Sequence, residues 1–286
     1  MSGRKSPIIF DTSGLNALVD ETESHLIQRA LAIGFRVRLT ETNVCEVAAT
    51  KDSDRRMQLL KLCRHLIFAG ESINPYNEIL QLLSRAHAAN RRMFDWRTVD
   101  VRSPELEEEI ARPTFLGTQE LADEVRRDNR LSNRQFQEMW QDARAKFSAE
   151  LREQGPISVD KVFEALADVN SPMWRLAGSI YKTTTGIALE AAEARAFIEA
   201  CPPAKAMLYA NCVGQYQWGV KNTNETSLYR AGRLDVFAAA YLPYCERFVT
   251  RDLGQYEALK LVANRAGLAT EVCTYADFRR GLLLAA

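Results

Sequence analysis

The chain has 286 residues, 47% hydrophobic and 26% charged, with 37 basic and 37 acidic side chains and a formal net charge of zero. This composition fits a globular chain with a sizeable core, and it excludes capture of nucleic acid by bulk charge alone. No apolar run approaches the ~18 residues of a membrane span, and six cysteines without C-x-x-C spacing beside three scattered histidines (His25, His65, His87) give no structural zinc pattern.

Pro7-Ile8-Ile9-Phe10 is an apolar run ending in Asp11-Thr12-Ser13-Gly14, the pattern of a buried parallel strand closed by a turn. Leu15, Leu18, Val19, Leu26, Ile27 and Leu31 recur at helical spacing and predict one helix from about Gly14 to Ile33, stopped by Gly34. Phe35, Val37 and Leu39 alternate with Arg36 and Arg38 as a second strand. A helix carrying Val44, Glu46 and Val47 follows Thr40–Thr42, and Leu59, Leu60, Leu62, Cys63 and Leu66 mark another. Ile73-Asn74-Pro75 reads as a short strand and turn, and Ile79, Leu80, Leu83 and Ala86 as the next helix.

From about Arg91 to Pro203 there is no strand pattern, and helix starts are frequent. Ser103-Pro104 and Ser171-Pro172 place an N-cap before a first-turn proline, Ser132 to Gln135 reads as a capping box, and Gly155-Pro156 is a break. Four to six helices are expected there. Beyond it come a helix over 204–220, a turn at Asn222–Asn224 and a helix over Leu234–Tyr241. A strand over Arg247–Thr250, a helix with Tyr256 and Leu259, a strand over Thr270–Tyr275 and a terminal helix complete the chain. The expected fold is α/β, a parallel central sheet flanked by helices. Segments 1–90 and 205–286 form its core, and 91–204 is an all-helical insertion.

Four carboxylates fall at comparable places. Asp11 follows strand one, Glu46 lies on the helix after strand two, Asp235 on the helix before the Phe248 strand, and Asp252 two residues after that strand. In open parallel sheets, sites form beyond the carboxyl ends of the strands. Gathered carboxylates suit a hard divalent cation, which lowers the pKa of a bound water and neutralises phosphate charge. Singly, Asp11 and Asp252 also read as helix caps and Glu46 as a solvated helix residue. The four together, in this order, favour a site.

The stretches Ile8-Ile9-Phe10-Asp11-Thr12-Ser13, Thr42-Asn43-Val44-Cys45-Glu46-Val47, Gly232-Arg233-Leu234-Asp235-Val236-Phe237-Ala238-Ala239 and Phe248-Val249-Thr250-Arg251-Asp252 resemble the PIN-like nuclease superfamily. The resemblance covers roughly residues 6–90 and 205–286 and leaves the middle as an insertion. It implies Mg²⁺ or Mn²⁺ and hydrolysis of phosphodiester bonds, usually of single-stranded or structured RNA. It makes Asp11, Glu46, Asp235 and Asp252 direct or water-mediated metal ligands. Thr12, Ser13 and Thr250 would orient carboxylates or a water, with Asn16 and Asn43 at the rim.

Arg55, Arg56, Arg91 and Arg92 are candidate phosphate contacts, as is the cluster Arg126, Arg127, Arg130 and Arg134, although acidic runs lie nearby. Trp96, Trp140, Trp174 and Trp218 are candidate base-stacking residues, with core packing the commoner fate of such tryptophans. The polar N-terminus gives no export signal, so the cytoplasm is the expected location. The preferred function is a metal-dependent ribonuclease, with a toxin held by an inhibitory protein or a defence effector as roles that analogy offers. The alternative is a catalytically silent scaffold whose helical segment docks a protein partner or forms a homodimer. A haloacid-dehalogenase-like phosphatase would want a second acid where Ser13 stands.

Overall fold

Strand β1 (Ser6–Phe10) carries three consecutive apolar side chains, Ile8, Ile9 and Phe10, that are fully buried, so it needs cover on both faces. The strands β2 (Phe35–Thr40), β3 (Glu71–Ile73), β4 (Arg247–Thr250) and β5 (Glu271–Thr274) complete one all-parallel sheet in the order β3-β2-β1-β4-β5. Ile9 is in register with Arg38 of β2 and Phe248 of β4. The computed structural model describes residues 5–21, 27, 31, 33–67, 70–112, 117–154, 158–164, 166, 168, 172–220 and 232–285.

In chain order the described helices begin with α1 (Thr12–Asp20), α2 (Glu41–Ala48), α3 (Ser53–Ile67), α4 (Tyr76–Ala89) and α5 (Pro104–Ala111). Then come α6 (Gln119–Gln154), α7 (Val159–Glu164), α8 (Pro172–Thr185), α9 (Ala191–Ala200) and α10 (Pro202–Gly214). The last are α11 (Arg233–Phe237), α12 (Leu253–Ala266) and α13 (Tyr275–Ala285). Alternation along β1 divides them between two layers. Ile8 and Phe10 join Val44, Leu59, Ile110 and Phe278 on one face. Ile9 joins Leu83, Trp174, Phe197, Leu208 and Leu259 on the other. The α/β fold with a parallel sheet flanked by helices is thus as expected. No described helix is long and apolar enough to cross a membrane.

Several local expectations are corrected. The first helix ends at Asp20, because Glu21 turns extended and accepts hydrogen bonds from Tyr275 (3.2 Å) and Arg279 (2.8 Å) on α13. The capping box at Ser132 starts nothing. It lies inside α6, where no glycine or proline interrupts the helix between 119 and 154, and Asn133 Oδ1 instead accepts from the Arg233 backbone N–H at 3.1 Å. The helix over 204–220 becomes π-helical at Gln215–Val220, and the one after Leu234 tightens to a 3₁₀ helix over Ala238–Tyr244. The described part of the middle region holds no strand, as expected, and only an isolated antiparallel bridge joins Arg102 to Ile73. Trp174, Tyr181 and Phe197 of its helices share one core with Ile9 and Phe248. All six cysteines are free thiols, five buried and Cys45 half-buried. His25, Gly155-Pro156, Ser171, Asn222–Asn224 and the side chains of Trp140 and Trp218 lie outside the described residues.

Candidate functional site

The strand order reverses between β1 and β4, and Asp11 and Thr250 stand at the carboxyl ends of those two strands. Such a reversal opens a crevice, because the connections leave in opposite directions. Asp11 is buried and caps α1, accepting from Gly14 N (2.6 Å), Ser13 Oγ (3.0 Å) and Thr250 Oγ1 (3.0 Å). Gly14 is needed here: a β-carbon would come within 3.0 Å of Val249 O and 3.1 Å of Asp11 Oδ1. Ser13 Oγ also accepts from the backbone N–H groups of Arg251 (2.7 Å) and Asp252 (3.1 Å), fastening α1 to the loop after β4.

Glu46 comes from α2 and accepts a short hydrogen bond from Thr12 Oγ1. Asn43 ties the same helix to β1. In the orientation that satisfies its neighbours, its amide nitrogen reaches Phe10 O (3.1 Å) and its oxygen meets Thr12 N (3.3 Å). Asp235 comes from the first turn of α11 and accepts from Gly232 N at 2.8 Å. A β-carbon on Gly232 would sit 3.0 Å from Asp235 Oδ2, so a bare backbone lets this carboxylate fold back. Asp11, Glu46 and Asp235 line one tight cleft of about 10 Å³, together with Thr40, Thr42, Asn43, Tyr241 and Gln255.

Among the described residues no cation compensates the carboxylates of the cleft. Burial pushes Asp11 up to about 6, against the lowering effect of its Gly14, Ser13 and Thr250 hydrogen bonds. Burial likewise pushes Glu46 up to about 7, aided by the charges of Asp235 and Asp11 and opposed by Thr12. Asp235 is raised by burial and by Asp252, and lowered by Gly232. No lysine or arginine among the described residues pairs with any of the three, nor does one contribute to these shifts. The carboxylates share a cleft without closing on a point: among the described residues, no group of three or more His, Cys, Asp or Glu side chains already encloses a metal-sized position.

The remaining expected residues fall elsewhere. Asp252 is exposed and lies outside the cleft lining, and its Oδ1 caps α12 by accepting from Gln255 N at 2.8 Å. Arg56 is buried, with Nη1 on Thr50 O (2.7 Å) and Nη2 on Gln119 Oε1 (3.1 Å), so it holds α3 to its neighbours and does not face a ligand. Arg55 pairs with Asp20 (2.7 Å) and grips Asn16 through its side-chain oxygen (3.0 Å) and its carbonyl (2.8 Å), which removes Asn16 from the rim. Arg91 pairs with Glu193 at 2.9 Å. It and Arg92 follow the far end of α4, about 20 Å of helix from the carboxyl edge of the sheet. Trp174 is core, and Trp96 packs edge-on to Tyr244 at the amino end of the sheet. A larger open cleft, about 780 Å³, lies at that end, but there Glu71 is paired with Arg36 and Arg38, and among the described residues no carboxylate trio stands uncompensated.

Thr40, Thr42, Tyr241 and Gln255 line the carboxylate cleft without having been singled out in the sequence. Thr40 could have been found as the N-cap of α2, accepting from Asn43 N at 3.1 Å. Tyr241 sits in a run of small and apolar residues that reads as core, and only the fold puts its hydroxyl 3.0 Å from Thr42. Comparison with family models, curated proteins and solved structures gave no match for this chain.

Proposed function

We propose that the cleft of Asp11, Glu46 and Asp235 is the active site of a PIN-like, divalent-metal-dependent ribonuclease, in which residues 91–204 are a helical addition to the catalytic core. The observation that carries this reading is three carboxylates, from three separate elements, lining one cleft at the strand-order reversal with no cationic partner among the described residues. Such an arrangement costs stability unless a cation completes it. The donors are hard oxygens, which fit Mg²⁺ or Mn²⁺. These ions keep several waters, so the carboxylates need not all touch the metal. The bound ion would lower the pKa of a water and screen a phosphodiester. The chain's own residues do the rest. Thr250 and Ser13 hold both Asp11 oxygens, Thr12 holds Glu46, and Gly232 holds Asp235, so each carboxylate is fixed before substrate arrives. Beside the cleft, α6 packs against α2 and α11, the elements carrying Glu46 and Asp235. Its exposed Arg127 and Arg130 fall on one helical stripe suited to phosphates, continued by Arg134, which pairs with Glu138 at 2.7 Å.

The test is cleavage of labelled single-stranded RNA in MnCl₂ by the wild type and Asp11→Asn. The reading expects metal-dependent cutting, abolished by EDTA and reduced at least 100-fold in the variant. Absence of cutting by the wild type, with no Mn²⁺ binding by calorimetry, would replace it with the scaffold reading.

A further inference from the structure

Gln255 lies in the first turn of α12 and is 3% exposed. Its side chain lines the same cleft as Asp11, Glu46 and Asp235. The amide nitrogen is directed at the backbone carbonyl of Asp235, at 3.5 Å. Swapping the amide would set two oxygens against each other there, so this orientation is the one its neighbour favours. The other end, Oε1, is buried and has no hydrogen-bond partner among the described residues. A buried amide oxygen left unpaired is costly, and one left in a site calls for a ligand.

We propose that Gln255 Oε1 joins the three carboxylates as a fourth donor group, a neutral one that helps hold the divalent cation bound by Asp11, Glu46 and Asp235. The inference rests on the metal-dependent reading above and deepens it. Three carboxylates already carry −3 against a +2 ion. A fourth carboxylate would add repulsion toward an incoming phosphodiester, whereas an amide oxygen adds a donor without charge. Asp252 fits the same picture. It is exposed, and its Oδ1 receives the Gln255 backbone N–H, so it orders the turn that aims the amide. Gln255 is a ligand of the ion and not an acid or base.

The experiment is titration of the full chain with MnCl₂ by calorimetry, at one pH, for the wild type, Gln255→Met, Gln255→Glu and Asp11→Asn, with folding checked by circular dichroism. Methionine keeps the length and apolar stem but lacks the oxygen, and should weaken Mn²⁺ binding about 10-fold. Glutamate should tighten it by about the same factor, a gain that a purely structural glutamine would not give. If Gln255→Met fails to fold, the glutamate variant alone decides. Wild-type affinity in the variants at 255, with binding lost in Asp11→Asn, would overturn the role of Gln255 and leave the metal site standing. No Mn²⁺ binding by the wild type would overturn both.

Discussion

Asp11 and Glu46 stay protonated well above the pH at which an unfolded chain would ionise them, about 6 and about 7 against ordinary values of 3.8 and 4.5. The folded state therefore binds more protons than the unfolded state across that interval. The stability these groups contribute is full below about pH 4 and is lost as pH rises through about 7. In EDTA, the protein should be more stable at pH 5 than at pH 8. Glu46→Gln should recover part of the loss at pH 8, on the order of 1–2 kcal/mol after allowing for solvent at the half-buried side chain. Denaturant melts of both proteins at the two pH values check this, and an unchanged pH dependence in the variant would contradict it. Gly14→Ala should cost about 1–3 kcal/mol, since the new methyl meets Val249 O and Asp11 Oδ1. A Cm equal to wild type would show that the turn relaxes freely. Asp11 was legible in the sequence because it ends an apolar run, and Glu46 because it sits among small and apolar neighbours. Gln255 was not, because a glutamine three residues after a cap looks like any first-turn residue until the packing buries it.

Among the elements, the strands were the most readable. Pro7-Ile8-Ile9-Phe10 and Arg247-Phe248-Val249-Thr250 are short apolar runs with turn residues behind them, and both became strands of the sheet. Their pairing was not legible, because nothing local says that β4 returns to lie beside β1 after the whole of the middle region. The helices misled where a capping signal was taken as a boundary. Ser132 has the right partner three residues on, yet α6 runs through it, because propensity and packing against α2 and α11 outweigh one local cap. Continuity of α6 has a consequence for the cleft, since Asn133 holds the start of α11 and hence the turn of Asp235. Ser132→Pro should break the helix at about 3 kcal/mol and loosen α11. Chemical denaturation measures the first effect, and increased hydrogen exchange over 232–237 the second. Full protection there, with α6 broken, would show that α11 does not depend on α6.

Across the whole molecule, the sheet is a shared wall. One face is covered by helices that follow β1, β2 and β5, the other mainly by helices that come before β4 or follow it. Residues 91–203 supply Trp174, Tyr181, Phe197 and Ile198 to the same core as Ile9 and Phe248. Deleting that segment should therefore abolish cooperative unfolding rather than leave a working smaller domain. A deletion variant with a sharp thermal transition by circular dichroism would contradict this. The long crossover also gives the site its composition, since it delivers Asp235 to the edge where β1 and β4 end. The most direct test is anomalous diffraction from crystals grown with MnCl₂. The account predicts a manganese peak in the cleft bounded by Asp11, Glu46 and Asp235, absent in Asp11→Asn crystals. An ordered cleft without that peak, or a peak only elsewhere on the protein, would contradict it.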